Sequence, residues 1–158
     1  MPKLQSVWLD RIAGRWHAAG IFTASTGSPL TITSGLDNSL TAVGSDRPNV
    51  IGDARVDNPT IRQWFNTAAF AKNAPGTYGN AGPAILSGPG RWNLDVAVWR
   101  RFPIKEQVRA DLRWEAFNLF NHARFNNPGT SLNSGTTFGI ISTAQDPRIM
   151  QLALKVTF

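Results

Sequence analysis

The chain has 158 residues, 42% of them hydrophobic, no cysteine and a net charge of +6. That length suits one domain. The missing cysteines exclude a disulfide framework and thiolate metal sites, and no apolar run approaches the ~18 residues of a membrane helix. The basic residues are scattered, with no run longer than Arg100-Arg101, so the charge does not point to nucleic acid.

Residues 1–13 form a short lead-in without the apolar segment of a secretory signal. Leu4, Val7, Trp8 and Ile12 fit one helical turn or an incoming strand equally well. From Gly14 to Ala24 the side chains alternate, with Trp16, Ala18, Gly20 and Phe22 on one face and Arg15, His17, Ala19 and Ile21 on the other, which predicts a strand. Turn residues Ser25 to Pro29 follow, then a short extension over Leu30 to Thr33.

Residues 34–90 read as a long irregular stretch broken by Asp46-Arg47-Pro48-Asn49, Ala74-Pro75-Gly76 and Ser87-Gly88-Pro89-Gly90. Its one regular piece is a predicted helical turn over Thr60 to Trp64, capped by Asn58 with Pro59 at the first position. A connection this long is uncommon inside a compact soluble domain and ordinary for the outer loops of a large barrel.

The clearest strands come next. In Trp92 to Phe102, Trp92, Leu94, Val96 and Val98 share a face. Pro103 to Gln107 has the length of a hairpin connection. Then Val108, Ala110, Leu112, Trp114 and Ala116 alternate with Arg109, Asp111, Arg113 and Glu115, one face apolar and the other ionised. Those charges suit a wet lumen, where they pair across strands, or an ordinary solvated face. Residues 121–147 form a second loop with a short β piece at Phe138 to Ile141. In the final strand Met150, Leu152, Leu154, Val156 and Phe158 share one apolar face.

The expected fold class is all-β: an antiparallel meander of about four long strands with long outer loops, the C-terminal part of a transmembrane β-barrel. A barrel strand of about 9–11 residues crosses the bilayer with its apolar face in lipid. Alternation of a short connection at 103–107 with long ones at 34–90 and 121–147 places the short turn and Phe158 on the periplasmic side. Trp92 and Phe120 then sit near the outer interface, and Phe102 and Phe158 near the inner one, as girdle aromatics.

No enzyme signature stands out. Asp111 and Glu115 are about 13 Å apart along a strand, too far for a glycosidase pair. His17 and His122 stand alone, without ligands at metal spacing. Gly79-Asn80-Ala81-Gly82 is not followed by the Lys-Ser/Thr of a phosphate cradle. No cofactor, metal site or catalytic residue is expected, and a small basic hydrolase is a reading for which no residue can be named.

Several strings resemble TonB-dependent outer-membrane receptors, in particular the large acidobacterial type with an N-terminal carboxypeptidase-regulatory-like domain. They are Thr26-Gly27-Ser28-Pro29-Leu30-Thr31, Arg47-Pro48-Asn49, Trp64-Phe65-Asn66 with Ala69-Phe70, Gly79-Asn80-Ala81-Gly82, and Gly88-Pro89-Gly90 with Asn93-Leu94-Asp95. Further on come Glu115-Ala116-Phe117-Asn118-Leu119-Phe120-Asn121-His122 with Arg124-Phe125-Asn126-Asn127-Pro128, and Asp146-Pro147-Arg148 with Gln151-Leu152-Ala153-Leu154-Lys155 and Phe158. They occur in order from about residue 14 to the end.

The resemblance implies a receptor that binds a scarce ligand outside (a siderophore, a cobalamin or a glycan fragment) and imports it with energy transmitted by TonB. It implies residues 14–158 as strands and outer loops of the barrel. Met150, Leu152, Leu154, Val156 and Phe158 become the signal read by the barrel-assembly machinery, and Arg109, Asp111, Arg113 and Glu115 face the lumen. Trp64, Phe65, Phe70 and Tyr78 are loop aromatics for ligand contact, or pack the loop on itself. Such receptors have a 22-stranded barrel, a plug and a signal peptide, so this chain reads as a fragment, inactive alone, whose partners are outer-membrane lipid and the missing N-terminal barrel and plug. The rival reading is a soluble β-sandwich binding module for glycans.

Overall fold

The computed structural model describes residues 14–42 and 44–158. The predicted lead-in, residues 1–13, lies outside them. The strands in chain order are β1 His17–Ser25, β2 Pro29–Leu30, β3 Asn49–Val50, β4 Phe70–Ala71, β5 Leu86–Ser87, β6 Arg91–Pro103, β7 Arg109–Phe117 and β8 Ile149–Thr157. The fold is all-β and antiparallel, as expected from the alternation.

The four long strands form one sheet in the order β1-β6-β7-β8. Phe22 of β1 meets Trp92 at one end of β6, and His17 meets Trp99 toward the other, so the two strands run antiparallel. The turn between β6 and β7 is tight: the amides of Ile104 and Lys105 donate to the Val108 carbonyl at 2.9 and 3.2 Å, and Val108 returns a bond to Lys105. β7 stops because Asn118 enters the left-handed region at φ 53°, a conformation that Asn tolerates better than most residues. Its carboxamide bonds the His122 backbone in both directions at 3.0 Å, while Asp95 of β6 accepts the Asn118 amide at 2.8 Å. The Asn-Leu-Phe-Asn string is therefore a turn that locks two strands at one end of the sheet.

Sheet residues Trp92–His122 and Asp146–Phe158, with the described residues through Ala24, form one compact unit; Ser25–Arg91 and Ala123–Gln145 form another. In this second unit β2 pairs with β5 and β3 with β4, both antiparallel. A Cβ on Gly27 would run into the Gly88 carbonyl oxygen, so the Thr-Gly-Ser-Pro turn needs glycine for close backbone approach. The core gathers Ile32, Phe65, Ala69, Phe70 and Phe138. The three Phe rings pack edge to face with centroids 5.1–6.0 Å apart, the arrangement favoured by their quadrupoles.

Three local expectations are corrected. The predicted helical turn at Thr60 to Trp64 is a reverse turn, in which Thr60 and Gln63 exchange backbone bonds at 2.9 and 3.2 Å and Trp64 donates to Gly139. The helical turn in this region is instead Thr67–Ala69, capped by the Asn66 side chain on the Ala68 amide. The extension at Leu30 to Thr33 shrinks to β2 and a bridge from Thr33 to Ser131, and the β piece at Phe138 to Ile141 shrinks to a bridge from Phe138 to Gly129.

Candidate functional site

The sheet separates its two faces with little mixing. Across β7 and β8 the opposed pairs are Ala110–Val156, Leu112–Leu154, Trp114–Leu152 and Ala116–Met150. β6 extends the row, with Val96 opposite Ala116, Val98 opposite Trp114 and Phe102 opposite Ala110. A one-residue slip in register would move the whole row to the other face. Along β8 the row is open: Met150, Leu152, Leu154 and Val156 are all exposed, Leu154 at 66%.

Aromatic rings mark both ends. At one, Trp92 stacks on His122 at 4.4 Å and meets Phe22 and Phe120 at 6.4 and 5.8 Å. At the other, Trp16 meets Phe102 edge to face at 6.4 Å. Trp92 and Phe102 are ten residues apart on β6, about 33 Å of strand, and a tilt of ~40° reduces that to a height of about 25 Å. That is the height of the apolar band of a membrane barrel.

Arg100 is the functional-face residue that sequence reasoning left unplaced. It lies opposite Leu112 on the apolar face and is only 5% exposed. Its guanidinium sits 4.5 Å from the Phe102 ring centre and 5.8 Å from that of Trp16, within cation–π range. The signal was present in the alternation: Arg100 continues the row Leu94, Val96, Val98. The guanidinium thus lies against two aromatic rings at the Phe102 end of the row.

The opposite face carries Arg109, Asp111, Arg113 and Glu115 together. Arg101 pairs with Asp111 at 2.7 Å, Arg113 pairs with Glu115, and Gln151 of β8 donates to Glu115. Lys155 stands opposite Asp111, and Arg109 opposite Thr157. Trp99 lies on this face, stacked on His17 with centroids 5.6 Å apart. One ion pair, Arg101–Asp111, crosses strands and the other, Arg113–Glu115, lies within β7, so the face carries both signs.

The four loop aromatics separate by burial. Phe65 and Phe70 belong to the loop core, Phe65 being 1% exposed, so packing is their role and they offer no face to a ligand. Trp64 is half-buried with its indole Nε1 donating to the Ser87 carbonyl at 2.8 Å. Tyr78 is 76% exposed.

Asp46 is the loop unit's buried carboxylate. It accepts from the Ser39 hydroxyl at 2.7 Å, the Ser39 amide at 2.6 Å and the Asn73 carboxamide at 3.3 Å. The Ser39 hydroxyl bond, above all, holds its pKa below the ordinary carboxylate value against the opposing effect of burial. Among the described residues, no group of three or more His, Asp or Glu is arranged to hold a metal ion, and no helix is long and apolar enough to cross a membrane.

A family model for an outer membrane beta barrel domain matches residues 2–151. No curated protein and no solved structure matches the chain.

Proposed function

Because the chain belongs to the outer membrane beta barrel domain family, we propose that it supplies wall strands and outer loops to a receptor of TonB-dependent type, which binds a scarce ligand outside and imports it. The observation that carries the membrane part of this reading is the register of β7 on β8, which opposes apolar to apolar in an exposed row. Exposed leucines at this density suit a hydrocarbon solvent. The receptor part is supported by the size of the loop unit beside only four long strands, and by the ordered strings that resemble such receptors.

A barrel whose interior is just filled by side chains needs about eight strands. The described residues supply four, leaving the outer edges of β1 and β8 without neighbours in the sheet. Unpaired backbone in hydrocarbon costs several kcal/mol per group. In this proposal further strands therefore complete the wall, and the lumen face, with Arg109, Asp111, Arg113 and Glu115, looks onto a plug. Assembly proceeds through the barrel-assembly machinery, reading the apolar row that ends at Phe158, and energy comes through TonB. No catalytic step and no cofactor are part of the proposal. The soluble β-sandwich alternative requires a second sheet over the apolar row, and the other sheets of the described residues are two-stranded pairs of two residues each.

The test is an immunoblot of fractionated source cells with antiserum to this chain. We expect a product larger than 17.3 kDa in the outer membrane. A 17.3 kDa product confined to the soluble fraction would overturn the reading.

A further inference from the structure

Within the loop unit a surface cavity of about 340 Å³ is lined by Arg55, Val56, Pro59, Trp64, Leu86 and Ser87. Its size lies near the lower end of the roughly 300–1,000 Å³ of small-molecule pockets, enough for a compact ligand. Its lining residues combine an aromatic side chain, apolar side chains and one arginine.

The Trp64 ring is held before any ligand arrives. Its Nε1 donates to the Ser87 carbonyl, its backbone amide to the Gly139 carbonyl at 2.8 Å, and it packs against the phenylalanine core. A side chain already fixed loses little entropy on binding. Arg55 is exposed, its backbone amide tied to Asp53 at 2.9 Å, and its guanidinium forms no ion pair among the described residues. A guanidinium without an ion-pair partner among the described residues, on a residue that lines the same cavity as a fixed indole, matches a ligand with an apolar ring face and an anionic edge. A carboxylate suits the planar fork of Arg in bidentate geometry.

We propose that this cavity binds a six-membered ring bearing a carboxylate, with the ring against Trp64 and the carboxylate on Arg55. The inference deepens the receptor reading by naming a ligand class for the outer loops, and it relies on that reading for the side of the membrane from which the ligand comes. Two sources share the chemistry: an acidic sugar, whose C–H face packs on indole, and an aromatic acid.

The experiment measures saturable binding of radiolabelled trigalacturonate and of radiolabelled 4-hydroxybenzoate to outer membranes carrying the full protein, with membranes lacking it as the blank. We expect one of the two probes to bind, and its identity distinguishes sugar from aromatic acid. Arg55→Met should weaken that binding by about tenfold or more, the loss of a charge-assisted contact. Trp64→Phe, which keeps a ring but loses the bond to Ser87, should weaken it less. Unchanged loop resistance to protease in both variants shows that the loop unit remains folded. Failure of both probes to bind, or binding unchanged by Arg55→Met, overturns the proposal. Neither result would displace the protein from the outer membrane, so a failed cavity is distinguishable from a failed receptor reading.

Discussion

The sheet and the loop unit solve opposite problems with the same residue types. The loop unit hides its phenylalanines: Phe65, Phe70 and Phe138 meet edge to face in a core built from distant parts of the chain. The sheet shows its leucines: Leu152 and Leu154 stand exposed in a row. Burial is favourable wherever the surrounding solvent is water. In an outer membrane barrel an open apolar row suits hydrocarbon, and a polar opposite face, such as the one that pairs Arg101 with Asp111, suits water.

The largest expected effect breaks the loop unit and spares the sheet. Phe65→Ala removes the ring that touches both Phe70 and Phe138, and core truncations of this kind cost about 3–5 kcal/mol. Limited proteolysis of outer membranes should then cut within 34–90 and 121–147 while the strands remain protected. Loss of the protein from the membrane altogether would show that the two units do not fold separately.

The next effect breaks the sheet and spares the loops. Leu152→Arg, or Trp114→Arg directly across from it, places a cation on the apolar row midway between the Trp92 and Phe102 ends, at about 2–4 kcal/mol near the bilayer midplane. Val156→Arg, two pairs closer to the Phe102 end, should cost less, because the penalty falls toward the interface. Measured as the fraction of protein recovered in the outer membrane, equal recovery of all three variants would count against a lipid-facing row.

A smaller effect separates the turn from both. Asn118→Ala loses two bonds to His122 and leaves alanine at φ 53°, together about 2 kcal/mol. Asn118→Gly keeps the conformation and loses the bonds, so it should recover part of the difference. Thermal unfolding in detergent reads both, and a glycine variant no better than alanine would show that the backbone conformation carries none of the cost.

The contrast between the units also explains what could be read from residues alone. The sheet was legible because its signal is local. Alternation over Trp92 to Phe102 anticipates β6 at Arg91–Pro103, and the same pattern anticipates β7 and β8 to within a residue or two. The loop unit was not, because its core has no period. Phe65 and Phe138 lie far apart in sequence, and nothing near either marks the other as its partner. The Asn58-Pro59 helix signal lost to tertiary structure: Trp64 is claimed by Gly139 and Ser87, and the chain turns at Thr60 to Gln63 to deliver Phe65 to the core. The candidate cavity was half legible. Trp64 stood out as a loop aromatic, while Arg55 had no local pattern to single it out.

The smallest expected effect is a dependence on pH and belongs to the loop unit. Asp46 holds its proton less tightly folded than unfolded, because the ionised carboxylate accepts from Ser39 and Asn73. The unfolded chain therefore binds more protons over the interval between the two pKa values, and stability rises with pH there. Asp46's contribution is fully present above the ordinary carboxylate pKa of about 4 and is lost as pH falls through the lower folded value. Asp46→Asn removes this dependence: it should destabilise the loops at neutral pH and converge on the parent protein in strong acid. Hydrogen exchange of the Ser39 and Asn73 regions across that interval reads the difference. A variant whose loops loosen at the same pH as the parent would assign the acid response to other carboxylates.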